Sequence, residues 1–449
     1  MATPQLSPGV LIREVDLTVG RAENVLDNIG AIAGPFQIGP VDEPITIENE
    51  QQLIATFGRP MSTDGQYEYW MAADAFLSYG GILKVVRTDG INLNNSNAGV
   101  GTASVTVKVT NGDDYEENHR TDQSFAWASK NPGAWADDMK VCVIDNAADQ
   151  IIGINTTSLE ALGAVVGAGV TSPLSSVVIP GVGTTTVFNG MLKGIITGVS
   201  TDTVNGNSTI EVKVVSRVST AGTNYEINYA EANPAQSFES SDGISFVTNS
   251  GVTTATSTAA YIKDWYNEQT LGLTNSTIYW KSIAARPVTN NFSSSRNGEG
   301  DALHVVIVDD KGSVTGVQGS LLEKHLSLSK AYDATADGDS PTRIYYKDYI
   351  QYNSKYVYAG KNPSEAEDTY HNTSPTAVGF STNYVTYTTG QGLWGQDAQG
   401  VTFSAIGNAS YTLSGGVDYQ TGGGMLADLG SLNVSYNLFS NKDEVEVDF

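Results

Sequence analysis

The chain has 449 residues, of which 40 % are hydrophobic, 9 % aromatic and only 16 % charged, with 49 acidic residues against 24 basic and a net charge of −25. That length allows a sizeable core and roughly two to four domains, and low charge combined with abundant Gly and Tyr favours strands and turns over long helices. The acidity speaks against a phosphate-binding surface, so nucleic acid is not expected as a partner, and the single cysteine, Cys142, excludes an intrachain disulfide framework.

The first 22 residues read as an arm. Leu6-Ser7-Pro8-Gly9-Val10-Leu11-Ile12-Arg13-Glu14-Val15-Asp16 is a strand-like run behind a Pro-Gly turn, placed ahead of any sign of a domain. An isolated strand carries unpaired backbone donors and acceptors and no core of its own, so it must pair elsewhere. The start of the chain lacks the basic and apolar regions of a secretory signal, and no stretch approaches the ~18 apolar residues of a membrane span. The expectation is synthesis and folding in a reducing cytoplasm without membrane insertion.

Residues 23–90 read as the first part of an α/β domain. Ile29 to Phe36 forms a small-residue strand and Ile45-Thr46-Ile47 a second; Asn49 caps a helix from Glu50 to Phe57, and a longer helix runs from Tyr67 to Tyr79. Ile82 to Arg87 closes a β-β-α-α-β unit, a mixed sheet with helices on one face. Residues 91–123 read as a loop or small insertion around one alternating strand, Ala103 to Val109. Residues 124–146 open a middle domain, with a helix that ends in the Asn131-Pro132-Gly133 turn and feeds an apolar strand holding Cys142, a setting that buries the thiol inert.

Residues 147–255 are rich in Thr, Ser, Gly and Val with frequent alternation, which predicts a small β-sandwich or barrel inserted into the middle domain. The middle domain resumes over 256–400 with a helical segment near Ala259 to Leu271, a strand from Ser276 to Arg286, and a hairpin in which Leu303–Val308 and Ser313–Val317 flank Asp309-Asp310-Lys311-Gly312. An amphipathic helix is expected from Leu321 and an aromatic strand over Tyr345 to Tyr358. Residues 401–449 return to the α/β domain through a hydrophobic edge at Ala409 to Gly416 and end on Glu444-Val445-Glu446-Val447-Asp448-Phe449, which alternates as a strand and stops. The expected fold class is α+β and β-rich: a multidomain chain with a mixed α/β sheet core domain and the inserted β domain.

No catalytic constellation assembles from these residues. His119, His304, His325 and His371 lack ligand spacing, no phosphate-binding loop is present, and Gly163 to Gly169 lacks the strand-to-helix dinucleotide pattern. Ser327-Leu328-Ser329-Lys330 matches a Ser-x-x-Lys pattern without its companion motifs. Asp333 to Asp339 echoes a calcium loop, but Ile344 stands where a closing Glu belongs. Neither an enzyme nor a cofactor is expected.

An ordered set of stretches resembles one family, the tail sheath proteins of contractile-tailed bacteriophages. It comprises Leu6-Ser7-Pro8-Gly9-Val10 with Glu14, Ala31 to Pro40, Leu53 to Pro60, Phe76 to Gly80, Leu83-Lys84-Val85-Val86-Arg87, Ser129 to Trp135, Lys263 to Tyr266, Leu413-Ser414-Gly415-Gly416 and Asp443 to Val447. The resemblance implies a virion protein, made in the host cytoplasm, that polymerises as stacked six-fold rings around a tail tube and contracts on a baseplate trigger. It also implies that Ser7, Pro8, Gly9, Val10, Ile12, Glu14 and Val15 bind a neighbouring sheath subunit, since an extended arm can add a strand to another sheet and span up to about 65 Å. Sheath proteins continue past the last strand into a region that meets the tube, so this chain is expected to be a truncated member. The alternatives are the sheath of a related injection machine, a bacteriocin or type VI secretion apparatus, or a β-rich carbohydrate-binding or adhesion module with its aromatic face over Tyr345 to Tyr358.

Overall fold

The computed structural model describes residues 28–61, 65–155, 159, 164–178, 187–202, 206–219, 226–228, 238–240, 242–247, 253–338, 341–363, 392–419, 427–441, 445 and 447. The chain is a β-rich α+β multidomain protein, and its first unit follows the sequence closely. Strands β1 (Ile29–Gly34), β2 (Ile45–Ile47) and β3 (Ile82–Arg87) form a mixed sheet in the order β1-β3-β2, with β1 parallel and β2 antiparallel to β3. Between them come α1 (Glu50–Phe57) and α2 (Gln66–Ser78). The Asn49 side chain accepts the Gln52 N–H at 3.0 Å to start α1, and Gly58 takes φ 83° to end it. Trp70, Ala73 and Leu77 bury one stripe of α2, and the Trp70 indole donates to the Gly58 carbonyl at 3.0 Å, joining the two helices.

The middle region is built on a different plan from the predicted one. Its main sheet is all antiparallel and runs from the strand at Ser320–Ser329 through those at Ala302–Asp309 and Met139–Asp145 to Asn408–Thr412, and a smaller one joins Val357–Ala359, Phe125–Ser129 and Asn97–Gly99. In chain order these are β4 (Asn97–Gly99), β5 (Phe125–Ser129) and β6 (Met139–Asp145), with a helical turn α3 (Gly112–Asp114) running into a π-helical turn over Tyr115–His119. The predicted helix before Asn131-Pro132-Gly133 is therefore the strand β5. The predicted strand over Ala103 to Val109 is extended backbone that joins no sheet.

The inserted segment is a closed barrel. Strands β7 (Gln150–Asn155), β8 (Gly169–Val178), β9 (Val187–Ser200), β10 (Asn207–Ser219), β12 (Gly243–Val247) and β13 (Thr253–Asp264) run β10-β7-β13-β12-β8-β9 and return to β10, with β11 (Glu226–Asn228) outside β10. All six ring pairings are antiparallel, which removes every edge but that of the short β11. Ile152, Ile154, Ile196, Ile210, Val212, Phe238, Ile244 and Phe246 fill the interior. Gly153 lies under the Tyr261 ring across the β7/β13 pair, where an added Cβ would sit 2.3 Å from a ring carbon. The helix expected near Ala259 to Leu271 is corrected: β13 runs to Asp264, and only the turn α4 (Trp265–Glu268) is helical.

Further corrections follow along the chain. Ser276 to Arg286 contains no strand, only a bridge from Tyr279 to Thr270 and a short 3-10 turn at Trp280–Ser282. After the turn α5 (Asn291–Ser294), β14 (Ala302–Asp309) pairs with β15 (Ser320–Ser329), so the hairpin is real but its second arm comes after Val317, and the helix expected from Leu321 is that arm. Most of Tyr345 to Tyr358 is helix, α6 (Tyr346–Asn353), followed by β16 (Val357–Ala359). Strand β17 (Asn408–Thr412) joins the main middle sheet against β6 rather than the α/β sheet. The last helix, α7 (Leu429–Asn437), packs on β1 and β3. Gly30 and Gly34 present their bare faces to Phe76 and Tyr69 of α2, so α2 packs closely on that face of β1.

Candidate assembly surface

The residues proposed for partner binding, Ser7, Pro8, Gly9, Val10, Ile12, Glu14 and Val15, lie outside the described residues, as do most of those in the final strand, Glu444 to Phe449. What the structure describes is the unit from which the arm departs. Among the described residues β1 is an edge strand of its sheet. Helix α7, which packs on it, carries no charged residue, leaves Leu429, Val434 and Tyr436 exposed, and is anchored by Ser435 Oγ, which donates to Asp42 Oδ1 at 2.7 Å. Helix α2 exposes Tyr67 and Met71.

Three buried asparagines hold the segment from Asn94 to Val109 against the middle region. Asn94, Asn95 and Asn97 accept the backbone N–H groups of Val107, Val109 and Val105 at 2.6, 2.8 and 2.8 Å. Their amides donate to the carbonyls of Gly415 (2.6 Å), Ser129 (2.8 Å) and Val105 (2.8 Å). This explains the missing strand over Ala103 to Val109: its alternation is real, but its N–H groups are met by side chains instead of a neighbouring strand. Asn94 pairs through its backbone with Val417, and Asn97 with Ser414. Two stretches of the family resemblance, Ser129 to Trp135 and Leu413 to Gly416, meet here. Gly416 passes so close to Gly133 that an added Cβ would lie 2.3 Å from its carbonyl oxygen. Arg87, fully buried, donates to the carbonyls of Phe36 (2.7 Å) and Gly39 (2.9 Å) and stands over the Tyr419 ring.

The residues that carried chemical patterns have structural partners. Lys330 is buried and paired with Asp145 at 2.9 Å, donates to the carbonyls of Gly300 and Ser404, both at 2.9 Å, and faces the Trp394 ring. All three ammonium protons are therefore used. Asp333 accepts from Ala398 and Asp337 from Asn291, so the calcium-like stretch does not converge, and among the described residues no group of three His, Cys, Asp or Glu could hold a metal. Burial pushes the Cys142 thiol up to about 12. Of the aromatic stretch, Tyr345, Tyr346 and Tyr358 are core residues, with Tyr346 edge-on to Trp394 and Tyr358 stacked on Tyr115, so these rings do not form an adhesive face.

His304 gives a pH prediction. Its Nδ1 accepts the Ser327 N–H at 2.9 Å and its Nε2 lies 2.8 Å from the Ala285 carbonyl, an arrangement that a neutral ring protonated at Nε2 satisfies. Burial pushes this imidazole below the usual value of 6.5, against the opposing bond to Ala285. The unfolded chain therefore takes up the proton first, so His304 costs no stability above pH 6.5 and removes it progressively as pH falls below. His304→Gln is expected to flatten the loss of unfolding free energy measured between pH 7.5 and 5.5, a slope of at most about 1.4 kcal/mol per pH unit.

The described residues thus define a β-rich multidomain protein in which Asn94, Asn95, Asn97, Arg87 and Lys330 are buried polar residues that join separate segments. Among them no helix is long and apolar enough to cross a membrane. Part of the chain is similar to the tail sheath protein of Enterobacteria phage T4, 35 % identical over 105 residues that make up 23 % of this chain and 16 % of that protein. It is likewise similar to the tail sheath protein of Salmonella phage ViI, 32 % identical over 150 residues, 33 % of this chain and 23 % of the relative. The alignments therefore span less than a quarter of either relative's length. No protein-family model matches the chain.

Proposed function

We propose that this chain is a structural subunit of a contractile phage tail sheath, located in the virion tail, and that it polymerises around a tail tube and contracts to drive the tube through the host envelope. The similarity to the sheath proteins of two phages carries this reading. Sheath assembly needs a subunit that keeps its shape while its neighbours change position, since contraction by rotation between two packings transmits force only through stiff bodies. The asparagine network that holds residues 94–109 to the segments around Ser129 and Gly415, and the buried Lys330–Asp145 ion pair, support that requirement.

In this reading Ser7, Pro8, Gly9, Val10, Ile12, Glu14 and Val15 form the strand that links one copy to the next, and the tube and baseplate are the further partners. Copies that each carry a net charge of −25 repel one another, so a link made of backbone hydrogen bonds holds where charged faces would not. Electron microscopy of the complete gene product, expressed with a tail tube, is expected to show striated tubular polymers. Their absence would overturn the sheath reading. Deleting residues 1–16 is expected to abolish long polymers, and normal polymers from that deletion would reject the arm alone.

A further inference from the structure

The barrel joins the rest of the molecule through two adjacent legs. The incoming leg, Asn146 to Asp149, leads into β7, and the outgoing leg leaves β13 at Asp264, which pairs in register with Gln150. Such a two-legged attachment, with its crossings side by side, behaves as a hinge unless something braces it. Among the described residues, one side chain from outside the barrel hydrogen-bonds to both legs. Arg286, in the segment that precedes β14, places Nη1 3.1 Å from Asn146 Oδ1, 3.0 Å from the Ala148 carbonyl and 3.3 Å from Asp149 Oδ1. Its Nη2 reaches Asp264 Oδ2 at 2.8 Å.

We infer that Arg286 is the lock of this joint, the residue that fixes the barrel in one orientation relative to the main middle sheet. Asp149 transmits the grip into the barrel wall. It accepts from Lys213 Nζ at 3.1 Å and from the Val214 N–H at 3.0 Å, both on β10, while its carbonyl accepts the Trp265 N–H at 3.0 Å. Arg286 is held from below by the Tyr266 ring, whose hydroxyl donates to the carbonyls of Ala284 and Ala285, next to Arg286 in the chain. A planar guanidinium can bond in two directions at once, whereas a lysine ammonium is a point charge that cannot reach both legs in this way. The barrel's interior packs without help from Arg286, so the side chain governs orientation and not the barrel's fold. This inference does not depend on the sheath reading.

Hydrogen–deuterium exchange on the full chain tests it. Arg286→Met is expected to speed exchange at the joint amides of Asp149, Val214 and Trp265 by about tenfold or more, the loss expected for charge-assisted bonds, while Ile152 and Ile210 inside the barrel keep their wild-type protection. Small-angle scattering should show a broader distribution of barrel positions. Arg286→Lys is expected to behave like the Met variant. Unchanged joint exchange in Arg286→Met would overturn the lock, and so would full rescue by lysine. Equal acceleration at Ile152 and Ile210 would also overturn it, by making Arg286 a residue of barrel stability.

Discussion

Lys330→Ala is expected to lower the unfolding free energy by about 3–5 kcal/mol, the usual consequence of removing one partner from a buried ion pair. The pair sits in the protein interior, with side-chain exposures of 1 % for Lys330 and 0 % for Asp145. Asp145 would not be left bare, because it also accepts the N–H groups of Ile406 and Gly407 at 2.9 and 2.8 Å. Those bonds do not replace the lost ammonium, so the cost of breaking the pair in a dry site would still be felt. Replacing both residues, as Lys330→Met with Asp145→Leu, removes the stranded charge but orphans two backbone donors, at about 1–3 kcal/mol each. Denaturant unfolding followed by tryptophan fluorescence, with Trp394 beside Lys330, measures the cycle. A loss below 1 kcal/mol for Lys330→Ala would mean that water reaches Asp145, contrary to the burial seen here.

Asn95→Leu is expected to cost at least about 3 kcal/mol, since leucine fills the space but leaves the Val109 N–H and the Ser129 carbonyl buried and unpaired, each at about 1–3 kcal/mol. Asn95 is completely buried, and its two bonds of 2.8 Å join backbone segments that no sheet connects at that point. The local signature is distinctive. Hydrogen exchange at Val109 should accelerate far more than at Val143 in β6, because only the former depends on the asparagine. Equal protection at both amides would show that the segment from Val105 to Val109 is held by something other than these side chains. Asn94 and Asn97 are expected to follow the same pattern at Val107 and Val105, with effects that are not additive because both donate to the Asn95 and Val105 carbonyls.

Much of the α/β unit was legible from sequence because each signal there agrees with its neighbours. The Asn49 cap, the helical spacing of Leu53 and Phe57, the Gly58 stop and the alternation in β3 all point to the observed elements. The errors fall where an apolar or aromatic run is short. Phe125 to Ser129, Leu321 to Ser329 and Tyr346 to Asn353 are each compatible with helix or strand by periodicity, and only their neighbours in space select one. Strand β5 is chosen by β4 and β16, β15 by β14, and α6 by the core formed around Trp127, Trp394 and Leu328.

The functional features were visible only as isolated residues. Lys330 attracted attention through a Ser-x-x-Lys pattern, yet its role is to neutralise Asp145, 185 positions earlier in the chain by residue number. Arg286 carried no signal at all, being one of two cations, with Lys281, in a stretch expected to be a strand. Asn94, Asn95 and Asn97 looked like the polar composition of a loop, and the close pass of Gly416 over Gly133 could not be seen in either motif alone.

By itself, the sequence determined the β-rich class, the order of the α/β elements, the presence of an inserted β domain and the resemblance to sheath proteins. These depend on local periodicity, turn chemistry and composition, which act between residues a few positions apart. Tertiary structure alone decided that the insertion closes into a barrel, that α7 packs on β1 and β3, and that Asn95, Lys330 and Arg286 hold separate segments together. Those outcomes turn on hydrogen bonds and packing between residues far apart in the chain, where a buried polar group must find its partner in space and leaves no local trace of which partner that will be.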